Sequence, residues 1–182
     1  MYNNVGNRQE MLHPAQQPCK LTWNQQWQHH SYYWSSQPMT PCSNNLQGTG
    51  YIHDYGGKPL VLNIDTATKQ NNNYRTALWT GKHLQVTLMS IPVGGDIGLE
   101  IHPTTDQFLR IEAGQGLVQM GQCKENLDFQ AMAYDNYAIM VPAGTWHNIT
   151  NTGNCPLKLY AIYAPPEHPF GTIEATKPMN HE

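Results

Sequence analysis

The sequence predicts an all-β fold, a sandwich or barrel of many short strands, and two observations predict it. From Lys58 onward, apolar residues fall into short runs and two-residue alternations with no sustained helical period. Turn-forming residues punctuate those runs at Gly94-Gly95-Asp96, Ala113-Gly114, Pro142-Ala143-Gly144 and Asn151-Thr152-Gly153. A chain of 182 residues is long enough for one domain with a real core.

The elements follow in chain order. Residues 1–57 read as an irregular N-terminal arm. Residues 1–55 hold fourteen Asn and Gln, three of the five Trp and few charges, too little aliphatic content for a core of their own. Trp23, Trp27 and Trp34 are spaced to share one helical face. The arm reads either as a segment with a short helix packing on the barrel or a neighbouring subunit, or as a tyrosine-rich assembly element. His29 and His30, adjacent in sequence, read as solvated rather than as a chelating pair.

Residues 58–170 read as the barrel. Apolar runs lie at Pro59–Asn63 and Tyr74–Trp79, and residues 82–88 alternate with Leu84, Val86 and Leu88 on one face. Further strands are expected near 97–102, 107–112, 115–120, 127–131, 138–141, 146–151 and 157–164. The Pro-rich stretch from Pro165 on, with residues 171–182 as its C-terminal end, reads as a loose tail.

Composition excludes some functions. The net charge of −3 and the scarcity of charged residues supply no basic footprint for nucleic acid or an anionic membrane surface. No apolar run approaches the ~18 residues of a spanning helix, and the polar start of the chain does not read as a secretory signal. A cytoplasmic protein is expected, with a spore coat or surface location left open by the arm. Cys19, Cys42, Cys123 and Cys155 form no C-x-x-C pair and read as free thiols.

Two motifs carry the chemistry. The first is Gly94-x5-Glu100-x-His102-x4-Gln107-x6-Gly114, the second Pro142-x-Gly144-x2-His147-x3-Asn151. Residues two apart on a strand share a face, so Glu100 and His102 point the same way. By the same rule Gln107 joins Leu109 and Ile111, and His147 joins Ile149 and Asn151. Phe108, Arg110 and Glu112 face away, which gives Arg110 an ion pair with Glu112 or Asp106 rather than a ligand. Glu100, His102, Gln107 and His147 are therefore the candidate metal ligands. Two imidazoles and a carboxylate make a facial site with open positions. Gln107 either coordinates through its carbonyl oxygen or orients a bound water. The alternative is a polar cavity in which hydrogen bonds satisfy both histidines. Lys82 and His83 read as a solvated turn, and Trp146 as packing. His168-Pro169-Phe170 is placed to fold over an opening.

At these residues the chain resembles the cupin superfamily. Gly94, His102 and Gly114 match its first motif; Pro142, Gly144, His147 and Asn151 match its second. Glu100, Gln107 and Asn136 depart from its usual His, Glu and Gly. The resemblance implies a double-stranded β-helix, or jelly-roll barrel, with a metal at its mouth. It also implies a homodimer. The stretch from Leu78 to Pro166 is similar to the short single-domain cupins called mannose-6-phosphate isomerase-like. Phosphomannose isomerases bind zinc through two His, one Glu and one Gln, the same inventory as here.

The resemblance thus implies a metal-dependent isomerase of a sugar or sugar phosphate, part of carbohydrate metabolism, working through a metal-stabilised enediolate. Zinc is the first expectation, with Mn, Fe or Ni tolerated by the same donors. The motifs leave no carboxylate over to act as general base. Two other readings stand beside it. One is an Fe(II)-dependent dioxygenase. The other is a non-enzymatic sugar-binding or spore-coat-like cupin that uses its arm for assembly.

Overall fold

A computed structural model describes residues 52–179. The calls made on the arm before Ile52, including its helix and His29 and His30, lie outside the described residues. The described residues form two facing antiparallel sheets. In chain order the elements are α1 (Ile64–Gln70), β1 (Arg75–Thr80), β2 (Gln85–Ile91), β3 (Asp106–Ala113), β4 (Gly116–Gly121), β5 (Phe129–Ala133), β6 (Ala138–Val141), β7 (Trp146–Asn151), β8 (Leu157–Ala164) and β9 (Ile173–Glu174). The larger sheet runs β6-β3-β8-β2-β1-β9 and the smaller β5-β4-β7. This is the predicted all-β jelly-roll barrel.

Between the sheets lies one apolar core, with Met89, Leu109, Ile111, Val118, Ile149 and Leu159 at its centre. Register explains the assembly. Met89 pairs with Leu159, and Leu159 with Ile111, so three apolar residues stand side by side in one interior row of the large sheet, which continues into Arg75 of β1. Val118 pairs with Ile149 across the small sheet and faces it. At ~25 cal/mol per Å² of apolar area removed from water, such rows are the main favourable contribution to folding.

The turns follow their sequences. Gly144 has φ +74°, in the left-handed region that glycine enters without steric penalty. Asn136, standing where the second motif usually has glycine, adopts φ +69°. Asn tolerates that region because its short amide bonds locally, and here its Oδ1 accepts from Arg110 Nη2 at 2.9 Å. Arg110 Nη1 also meets Glu112 at 2.7 Å, the ion pair expected for it.

Four expectations are corrected. Residues 64–70 are helical: Asn63 Oδ1 caps Thr66 N, and Asp65 and Lys69 pair one turn apart. Seven residues are too few for a helical period to stand out in sequence. The strand expected at 97–102 is reduced to single bridges, Asp96 with Thr150 and Glu100 with His147. The alternation expected around β2 holds, with Leu84, Val86 and Leu88 on one face and Gln85, Thr87, Met89 and Ile91 on the other, which faces the barrel interior. The Leu84 face of β2 lies outside, where Leu84 and Val86 share a groove with residues 57–62, and α1 packs over β8, β3 and β2. The tail is tied down as far as Lys177. Ile173 and Glu174 pair with Thr76 and Arg75 of β1, and Lys177 pairs with Asp96. Cys123 is disulfide-bonded, so it is not a free thiol.

Candidate metal centre

The two motifs meet through their backbones. Glu100 N donates to His147 O at 3.1 Å, and His147 N returns a bond to Glu100 O at 2.9 Å. Gly144 N donates to His102 O at 2.8 Å. These three bonds lay residues 100–102 along the first residues of β7, so side chains 45 positions apart share one end of the barrel. His147, Ile149 and Asn151 all face inward, as their spacing predicts.

The side chains then converge. Glu100 Oε1 lies 3.4 Å from His102 Nε2 and 3.4 Å from His147 Nε2. All three donor atoms fall within 4.8 Å of one another. Neither Nε2 makes a hydrogen bond, although both are buried. A tetrahedral site with ligands at ~2.0–2.1 Å has edges of roughly 3.3–3.4 Å, the spacing seen from the carboxylate to each imidazole.

Second contacts fix which nitrogen of each ring points inward. His147 Nδ1 sits 3.0 Å from the Thr145 carbonyl, which can only accept, so Nδ1 carries the proton. His102 Nδ1 lies 3.2 Å from Glu167 Oε1, a carboxylate that accepts likewise. Thr105 holds Glu167 by donating its hydroxyl to Oε2 at 3.0 Å. Both rings thus present an Nε2 lone pair to the centre, the arrangement that carboxylate–histidine and carbonyl–histidine pairs impose on metal ligands. A divalent metal ion fits this donor set.

Electrostatics agree. Burial alone would raise the Glu100 pKa, but the two imidazoles overcome it and hold the carboxyl down to about 2. Burial opposes protonation of His102, and Glu100 and Glu167 outweigh it, so its pKa is raised. A site that holds Glu100 ionised and favours the charged form of His102 favours positive charge at its centre.

Gln107 is only 3% exposed, and neither end of its amide has a hydrogen-bond partner. Register places it in an interior row with Tyr163 and Gln85. Tyr163 turns its ring edge to His102 with centroids 5.6 Å apart, and its buried hydroxyl lies near Thr87 and Gln107. Burial pushes the pKa of that hydroxyl well above the usual tyrosine range.

Several residues around the site were not anticipated. Tyr163 continues the inward alternation of Leu157, Leu159 and Ala161, so the pleat of β8 could have revealed it. Glu167 lies in the stretch read as loose, and nothing local marks it; His168 next to it belongs to the segment expected to fold over an opening. Gln85 fixes this stretch: its Oε1 accepts from His168 N at 2.9 Å, and its Nε2 donates to His168 O at 2.8 Å. The His168 ring then stands edge-on to Tyr163 at 5.0 Å, and burial depresses its pKa to about 4. Arg75, also unanticipated, is buried beside Glu174.

A jelly-roll barrel with a carboxylate and two imidazoles converging at one end defines a class of metal-binding β-barrel proteins. The chain belongs to the cupin family: a cupin-domain profile matches residues 87–163. It is 69% identical over 126 residues to the Bacillus subtilis protein YrkC, covering 69% of this chain and 68% of that one. A mimivirus protein, L612, is 40% identical over 121 residues, covering 66% of this chain and 74% of that one. A crystal structure from Bacillus halodurans matches with 65% identity and a TM-score of 0.69, covering 69% of this chain and 96% of that chain. Among the described residues, no helix is long and apolar enough to cross a membrane.

Proposed function

We propose that the protein is a metal-dependent isomerase of a small sugar or sugar phosphate, its metal held by Glu100, His102, His147 and Gln107. The observation that carries this reading is the pair of unpartnered Nε2 atoms facing one carboxylate oxygen, with each Nδ1 already committed elsewhere. The donor inventory of two His, one Glu and one Gln supports the isomerase reading over other chemistries. When bound, the metal supplies Lewis acidity toward a carbonyl or hydroxyl oxygen.

The chain's own residues do the rest. Glu167 and the Thr145 carbonyl keep both imidazoles in the metal-binding tautomer. Tyr163, its proton held firmly by burial, donates a hydrogen bond to a substrate oxygen. His168, kept neutral by burial, offers Nε2 as an acceptor for a substrate hydroxyl. Gln85 keeps the 165–170 strap closed over these groups.

Metal analysis of the purified chain beside His102→Ala and His147→Ala tests the centre. The expected result is metal in the parent and loss in both variants; equal content in all three refutes it. Conversion of mannose 6-phosphate to fructose 6-phosphate then tests the reaction. Absence of turnover, with metal bound, overturns the isomerase reading, and metal-dependent oxygen consumption would replace it with the dioxygenase.

A further inference from the structure

A cavity of about 140 Å³ adjoins the metal centre, lined by Tyr74, Arg75, residues 97–99, Glu100, Lys177 and Pro178. Glu100 belongs to both, so whatever occupies the cavity lies next to the metal's carboxylate ligand. Two cationic side chains reach it from different elements, Arg75 from β1 and Lys177 from the stretch after β9.

Arg75 is the informative residue. Its side chain is 8% exposed, and its Nη1 donates to Glu174 Oε2 at 2.7 Å. That bond uses one corner of the guanidinium. Nε is buried with no partner, and the Nε–Nη2 edge is left over by Glu174. A buried donor without an acceptor costs ~1–3 kcal/mol, so a structural ion pair alone does not explain this orientation. The side-on edge of a guanidinium presents two parallel N–H groups, the fork that matches the paired oxygens of a carboxylate or phosphate. Lys177 is half-exposed and pairs with Asp96, its stem lying over Gly98 on the cavity wall. Its ammonium is therefore anchored at the cavity and retains other N–H groups.

We propose that this cavity is the subsite for an anionic group of the ligand, a carboxylate or a phosphate, bound by the Nε–Nη2 edge of Arg75 with Lys177 as second donor. The proposal rests on the metal-dependent reading above and specifies its substrate class: a small acid that reaches the metal with one oxygen and Arg75 with its anion.

The test is calorimetric titration of the full chain, metal-loaded, with inorganic phosphate and separately with acetate. Lys177→Ala leaves the core untouched. Arg75→Gln combined with Glu174→Gln removes the guanidinium without stranding the carboxylate. Metal content and melting temperature are measured on each protein. The expected result is oxyanion binding by the parent, weakened about threefold in Lys177→Ala and at least tenfold in the double variant, with metal content unchanged. Tighter phosphate binding assigns a phosphate ester; tighter acetate binding assigns a carboxylate. Equal affinity in parent and variants, or no binding of either anion by the parent, overturns the subsite. If anion binding behaves as expected but mannose 6-phosphate is not converted, the subsite stands and the isomerase reading falls.

Discussion

Replacing Glu167 by Ala probes the tautomer argument directly, because Glu167 touches a proposed ligand and is not one itself. Its Oε1 accepts from His102 Nδ1 at 3.2 Å while Thr105 holds the other oxygen. A hydrogen bond to a charged group contributes ~1.5–3 kcal/mol. The Glu167 side chain is 32% exposed, so solvent screening places it at the lower end, near ~1.5 kcal/mol. At ~1.4 kcal/mol per decade this is about a tenfold loss of metal affinity, the lower bound for removing a partner behind a metal-bound histidine. Competition against a chromogenic chelator at fixed pH measures it. Glu167→Gln keeps an acceptor oxygen without the charge, and a loss of about threefold is expected. Thr105, nearly buried, loses its acceptor in the Ala variant, so the metal-free chain is destabilised by about 1 kcal/mol. Affinity within twofold of the parent in Glu167→Ala would falsify the claim that Glu167 sets the His102 tautomer.

Other outcomes follow from the same geometry. Because the His102 pKa is raised, protons compete with the metal to higher pH than at an ordinary histidine, and affinity falls up to tenfold per pH unit below that pKa, read by the same competition. The metal-free chain runs the other way: a raised folded-state His102 contributes stability present below its unfolded pKa and lost as pH rises through the folded one, so its melting temperature drops over that interval while the metal-loaded chain's climbs. Gln107→Leu removes a buried amide with no partner at similar volume; the metal-free chain should be at least as stable by thermal melting, while metal affinity or turnover declines, and unchanged metal affinity and turnover together exclude Gln107 from the site. Gly121→Ala puts a Cβ 2.1 Å from Asn126 O, and a loss of roughly 1–3 kcal/mol in denaturant melts is expected, a neutral result indicating a different path for the β4–β5 turn.

Much of this was legible in residue order. The two-residue period and the turn residues mark most of the strands, and Glu100, His102 and His147 fall where the motifs put them. Alternation also turned Gln107 inward with Leu109 and Ile111. On β2 alternation put Leu84, Val86 and Leu88 on one face without saying which side of the sheet it takes: Leu84 and Val86 pack against the 57–64 segment, and Gln85, Thr87, Met89 and Ile91 line the barrel. Alternation states that two faces differ; only packing decides which one is inside.

The sequence alone determined most of the strand pattern, the barrel and the candidate ligands of the two motifs, because period and spacing are local properties that survive without a partner. The tertiary structure decided everything that depends on long-range approach. It brought Glu167 behind His102 from 65 positions away, clamped His168 through Gln85, and set Arg75 beside Glu100 at a small polar cavity. None of these contacts leaves a periodic or compositional trace, since each joins single residues on segments that meet only when the barrel closes.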